Sequence, residues 1–136
     1  MNPVLEGTIL ESSPFVDAKG AVDVKGLSSL LQFDQATMAK TLGVSRQAVS
    51  QQLAKKEKFV RPRSQSTQRF LFELNQVLAL LRALTDPATS TAEMRRWLHS
   101  PNKALGLKRP VDLIKQRKLA PLKEALMDAL TAAQGA

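Results

Sequence analysis

The sequence predicts an all-α fold in two parts, and three observations carry that prediction. Apolar residues recur at spacings of three and four, the period of an α-helix. Strand signals are weak, because Tyr is absent and apolar–polar alternation is short-lived. Residues suited to capping or breaking helices stand at the ends of the periodic stretches.

The elements follow in order. "KGLSSLLQF" (25–33) predicts a first helix with Leu27, Leu30 and Leu31 inward. Asp34 can cap "QATMAKTL" by accepting a bond from the free amides of its first turn. Gly43 ends that helix, since glycine tolerates the left-handed conformation there. Ser45 caps a third helix running through about Lys56. "FVRPRSQS" (59–66) reads as a connector, and a long helix over 67–84 follows it. There Phe70, Leu74, Val77, Leu78 and Leu81 share one stripe, which Leu71, Leu80 and Leu84 widen. "DPATS" stops this helix, and Ser90 with Glu93 forms a capping box for "TAEMRRWLH". Pro110 and Pro121 suit the first turns of two last helices. In the final one, Leu122, Ala125, Leu126, Ala129, Leu130 and Ala133 form the apolar stripe. The hinge between the two parts is expected near 59–66, giving domains 1–62 and 63–136.

Composition narrows the function classes. A chain of 136 residues can bury one core, or two small ones that share an interface. The absence of Cys excludes disulfides, thiolate metal sites and Cys nucleophiles together. No run approaches the roughly 18–20 apolar residues of a membrane span. The N-terminus lacks a basic leader and an apolar run, so no signal peptide is expected and a cytoplasmic location is. The net charge of +8 is unevenly spread: residues 33–70 hold eight Lys/Arg against two acidic residues. That charge fits an acidic partner for the middle of the chain and, equally, a solvated basic face.

"QATMAKTLGVSRQAVSQQL" (35–53) has the spacing of a helix-turn-helix. Two short helices crossing at a wide angle need a small residue where they touch, which Ala39 provides. Gly43 permits the tight turn, Leu42 and Val44 pin it to the core, and Val49 and Leu53 bury the second helix. The N-terminal part is therefore expected to be a DNA-binding domain. With Val49 and Leu53 inward, Arg46, Gln47, Ser50 and Gln51 point outward as candidate base-reading residues, with Gln52 at the margin. Arg matches the O6/N7 edge of guanine, and Gln the N6/N7 edge of adenine. Lys40, Ser45, Lys55, Lys56, Lys58, Arg61 and Arg63 are candidate phosphate contacts. One such motif reads few base pairs, so a homodimer on half-sites about 34 Å apart is expected, with double-stranded operator DNA as partner.

The second part offers no active site. His99 is the only His and adjoins a Pro turn, Gly106 stands alone, and the acidic residues are scattered. No enzyme activity, metal or cofactor is expected. "RWLHSPNKALGLKRPVDLI" (96–114) instead resembles the C-terminal domain of the Xre/MbcA/ParS antitoxins, through Trp97, Leu98, Pro101, Asn102, Leu105, Gly106, Pro110 and Leu113. The likeness covers about 67–136. It departs from the family at Leu107, where a second Gly is common. Membership implies a type II antitoxin that masks a toxin, often a RES-domain toxin consuming NAD, and represses its own operon. Trp97, Asn102, Lys103, Lys108 and Arg109 are the candidate partner contacts. The alternative is a stand-alone helix-turn-helix regulator whose C-terminal domain only mediates oligomerisation.

Overall fold

A computed structural model describes residues 15, 22–54, 59–60 and 64–135, and these residues are predominantly α-helical. By internal contacts the chain divides into Pro14–Asn75 and a unit containing Gln76–Ala136.

In the first unit, β1 (Val22–Asp23) pairs antiparallel with β2 (Phe59–Val60), with Val22 opposite Val60. Two-residue strands are too short to leave a period-two pattern in the sequence. Helix α1 (Val24–Leu31) starts at Asp23, whose carboxylate accepts from the Gly26 amide at 3.0 Å. Val24, Leu27, Leu30 and Leu31 are its buried face. Helix α2 (Gln35–Leu42) is capped as expected, with Asp34 Oδ1 accepting from the Thr37 amide at 2.7 Å. It ends at Gly43 in the left-handed conformation, φ 68°. Ser45 Oγ accepts from the Ala48 amide at 3.0 Å to open α3 (Arg46–Ala54).

Both α1 and α2 pack on α3. The core between them is Val22, Leu27, Leu30, Leu31, Met38, Ala39, Leu42 and Val49. Leu53 and Val44 are only half-buried, so Val49 alone fully seats α3. The first turns of α4 (Gln65–Ala83) close the unit with buried Thr67, Phe70, Leu71 and Leu74. Helix α4 begins two residues earlier than expected because Ser64 Oγ accepts from the Thr67 amide, at 3.4 Å.

Gly43 carries a double constraint. Besides its positive φ, a Cβ there would lie 2.9 Å from Thr67 Oγ1. Gly106 has nearly the same φ, 66°, with nothing within 4 Å of its absent Cβ. Gly106→Ala should therefore cost only the left-handed strain, about 1 kcal/mol, and Gly43→Ala about 2 kcal/mol or more. Urea unfolding of both variants checks this, and equal losses would remove the Thr67 contact from the account.

In the second unit the last turns of α4 bury Val77, Leu78, Ala79, Leu80 and Leu81. Helix α5 (Ser90–Leu98) begins one residue earlier than the capping box requires, so Ser90 lies inside it and Thr89 takes the cap position. Glu93 instead reaches back over the turn, accepting from the Asp86 amide at 2.9 Å and the Thr89 hydroxyl at 3.1 Å. A 3₁₀ turn (Lys103–Leu105) leads to α6 (Pro110–Lys115), with Pro110 at its start, and α7 (Ala120–Gly135) ends the unit. Met94, Leu98, Val111, Ile114, Leu119, Leu122 and Leu126 complete the core. Among the described residues no helix is long and apolar enough to cross a membrane.

Candidate functional sites: an exposed helix face and an apolar groove

The first candidate site is the outer face of α3. Arg46, Gln47, Ser50 and Gln51 are all exposed, Val49 is buried, and Gln52 is half-buried at the margin. The helical period turns Gln47, Ser50 and Gln51, one or two positions from Val49, away from the core, whereas Arg46, three positions before it, is exposed because it opens the helix. Lys40 is exposed near the end of α2. Ser45 is also exposed, with its Oγ engaged as the α3 cap. Lys55, Lys56, Lys58, Arg61 and Arg63 lie outside the described residues. The described face thus offers one guanidinium, two amides and a hydroxyl, donors and acceptors of the kind that read base edges.

The second candidate site is a groove of about 370 Å³ in the Gln76–Ala136 unit. One wall is the end of α4 with Leu81, Leu84 and Thr85, and another is α5 with Glu93 and half-buried Trp97. Asn102 and Ala104 come from the corner before α6, and Ala125, Leu126 and Ala129 from α7. The apolar stripe predicted for α7 is therefore covered only in part. Leu122 and Leu126 are buried, Ala125 and Leu130 half-buried, and Ala129 and Ala133 exposed. Small side chains on α7 leave the groove room that larger ones would fill.

The corner beside the groove is tightly held. Asn102 Oδ1 accepts from the Ala104 amide at 2.9 Å, which commits that atom to the chain's own turn. The Asn102 carbonyl accepts from the Leu105 and Leu107 amides at 3.0 and 2.8 Å, and its amide donates to the Lys108 carbonyl at 3.1 Å. Lys103 and Lys108 are exposed. Arg109 makes a two-pronged ion pair with Asp112, at 3.0 and 3.1 Å. That hydrogen bond holds the Asp112 carboxyl below the usual carboxylate range. Both groups are solvent-exposed, so the pair orders the start of α6 more than it stabilises the fold.

Of the expected partner contacts, Trp97 and Asn102 line this groove and Lys103, Lys108 and Arg109 do not, while the sequence did not single out Leu81, Leu84, Thr85, Glu93, Ala104, Ala125, Leu126 and Ala129 as groove residues. The available signal was the run of alanines at 125, 129 and 133, one helical turn apart on a stripe read as core. Among the described residues, no three His, Cys, Asp or Glu side chains gather as metal ligands.

Residues 80–132 match the family described as the antitoxin Xre/MbcA/ParS C-terminal toxin-binding domain. The matched segment runs from the end of α4 into α7. No curated protein and no solved structure matches the chain.

Proposed function

We propose that the chain is the antitoxin of a type II toxin–antitoxin system, because residues 80–132 match the C-terminal toxin-binding domain of the Xre/MbcA/ParS antitoxins. The C-terminal domain, within 63–136, docks and masks a toxin of the NAD-consuming RES type. The N-terminal domain, within 1–62, binds the operator as part of a homodimer and represses the operon. One observation carries the antitoxin reading: every residue lining the apolar groove falls inside the matched segment 80–132. A part-open apolar groove with a Trp wall and a few polar groups suits a protein partner, since aromatic anchors in such sites supply much of the binding energy.

DNA binding is supported by the concentration of positive charge at 33–70 and by the polar outer face of α3. Here Arg46, Gln47, Ser50 and Gln51 read base edges, and the basic residues after α3 hold phosphates. The experiment is a titration of the full chain against DNA from upstream of its own gene at several salt concentrations. Lys55→Ala/Lys56→Ala together should lower the slope of log K against log salt by about two, because each phosphate contact releases about one counterion. A slope identical to wild type would remove these lysines from the interface.

A further inference from the structure

We propose that Leu107 is a specificity-determining anchor for the toxin: an apolar knob beside Lys103 and Lys108 that seats in an apolar pocket with an acidic rim. The inference rests on the reading of the adjoining groove as the toxin-docking face. Among the described residues the large apolar side chains that stand exposed are Phe72 and Leu107, and Leu107 is the more exposed, at 66 %. A single exposed leucine needs no explanation. Leu107 also has φ 66°, a left-handed conformation that disfavours branched side chains and suits glycine or asparagine. One residue thus bears two local costs, although a Gly or Asn would make the same turn with neither. Violations of local rules that the surroundings hold in place mark functional positions.

The knob is held ready for docking. The Leu107 amide donates to the Asn102 carbonyl at 2.8 Å, and the Asn102–Lys108 bridge closes the corner at 3.1 Å. A side chain on a fixed backbone loses less freedom on binding than one on a loose loop. The same corner supplies Asn102 and Ala104 to the groove, so the knob is continuous with the docking surface. Its neighbours Lys103 and Lys108 are exposed cations, whereas Arg109 is already paired with Asp112. Electrostatic complementarity then requires carboxylates around the pocket that receives Leu107.

The test compares the full wild-type chain with Leu107→Gly and Leu107→Met, using the purified product of the adjoining reading frame as the probe. Leu107→Gly relieves the strained backbone, so its melting temperature should rise by about 3 °C. Its affinity for the probe should fall about tenfold or more. Leu107→Met keeps an apolar side chain of similar volume, and its affinity should stay within about threefold of wild type. A residue with a purely structural role would move stability and affinity in the same direction. Binding by Leu107→Gly as tight as wild type overturns the anchor while leaving the docking reading intact. Failure of the wild-type chain itself to bind removes the docking reading and the anchor with it. Lys103→Glu/Lys108→Glu should slow association and weaken its dependence on salt, and an unchanged association rate would reject the acidic rim.

Discussion

Arg46→Ala should lower the preference for operator over unrelated DNA by about tenfold to a hundredfold and leave salt-dependent binding to DNA of any sequence. Burial of Val49 fixes the rotation of α3 and turns Gln47, Ser50 and Gln51 to solvent, and Arg46 stands exposed on the first turn of the helix. A guanidinium that bonds both acceptors on a guanine edge contributes about 1–3 kcal/mol of discrimination, whereas phosphate contacts add affinity without discrimination. Arg46 is exposed at the first position of α3, and the cap of that helix comes from Ser45, so the fold should be undisturbed. Parallel titrations of operator and scrambled fragments at two salt concentrations measure the ratio. A mutant that binds both with the wild-type ratio is incompatible with base reading by Arg46.

The second large effect belongs to the groove. Ala129 is exposed on α7 and lines the open space facing Leu81, Leu84 and Trp97. Ala129→Arg projects a long charged side chain into the region the toxin would occupy. It alters no buried residue, so the melting temperature should move little. Loss of a central docking position typically costs 2–4 kcal/mol, so affinity for the toxin should drop by about a hundredfold or more. Calorimetry with the purified partner measures the affinity. Full-strength binding by a folded Ala129→Arg chain would place the docking surface elsewhere. The same variant should leave operator binding unchanged, because α3 lies in the Pro14–Asn75 unit and α7 in the other.

The parts of this fold that sequence made legible are those governed by local chemistry. Asp34 and Gly43 mark the ends of α2 because a carboxylate on free amides and a left-handed glycine act within one turn. The stripe on α4 was legible because burial follows the helical period over many residues, and only Leu84, at its edge, is half-buried. Glu93 was harder: its spacing from Ser90 fits a capping box, yet its carboxylate accepts from the amide of Asp86, seven residues back. That pairing depends on the path of the turn at 86–89, which no local pattern specifies. The groove was hidden for a related reason. Periodicity shows which side of α7 is apolar, but whether a neighbour covers Ala125 and Ala129 depends on where α4 and α5 lie. At Leu107 the one sign of a left-handed backbone was that the resembled family commonly has Gly there, and the bond from its amide to Asn102 across the corner accompanies that conformation.

Growth on co-expression tests most directly whether this chain neutralises a toxin. The adjoining reading frame is induced alone, with the wild-type chain, and with Ala129→Arg. Arrest is expected when the frame is expressed alone, restored growth and a co-purifying complex with wild type, and renewed arrest with the variant. Arrest that persists beside abundant, folded wild-type chain would contradict the antitoxin reading.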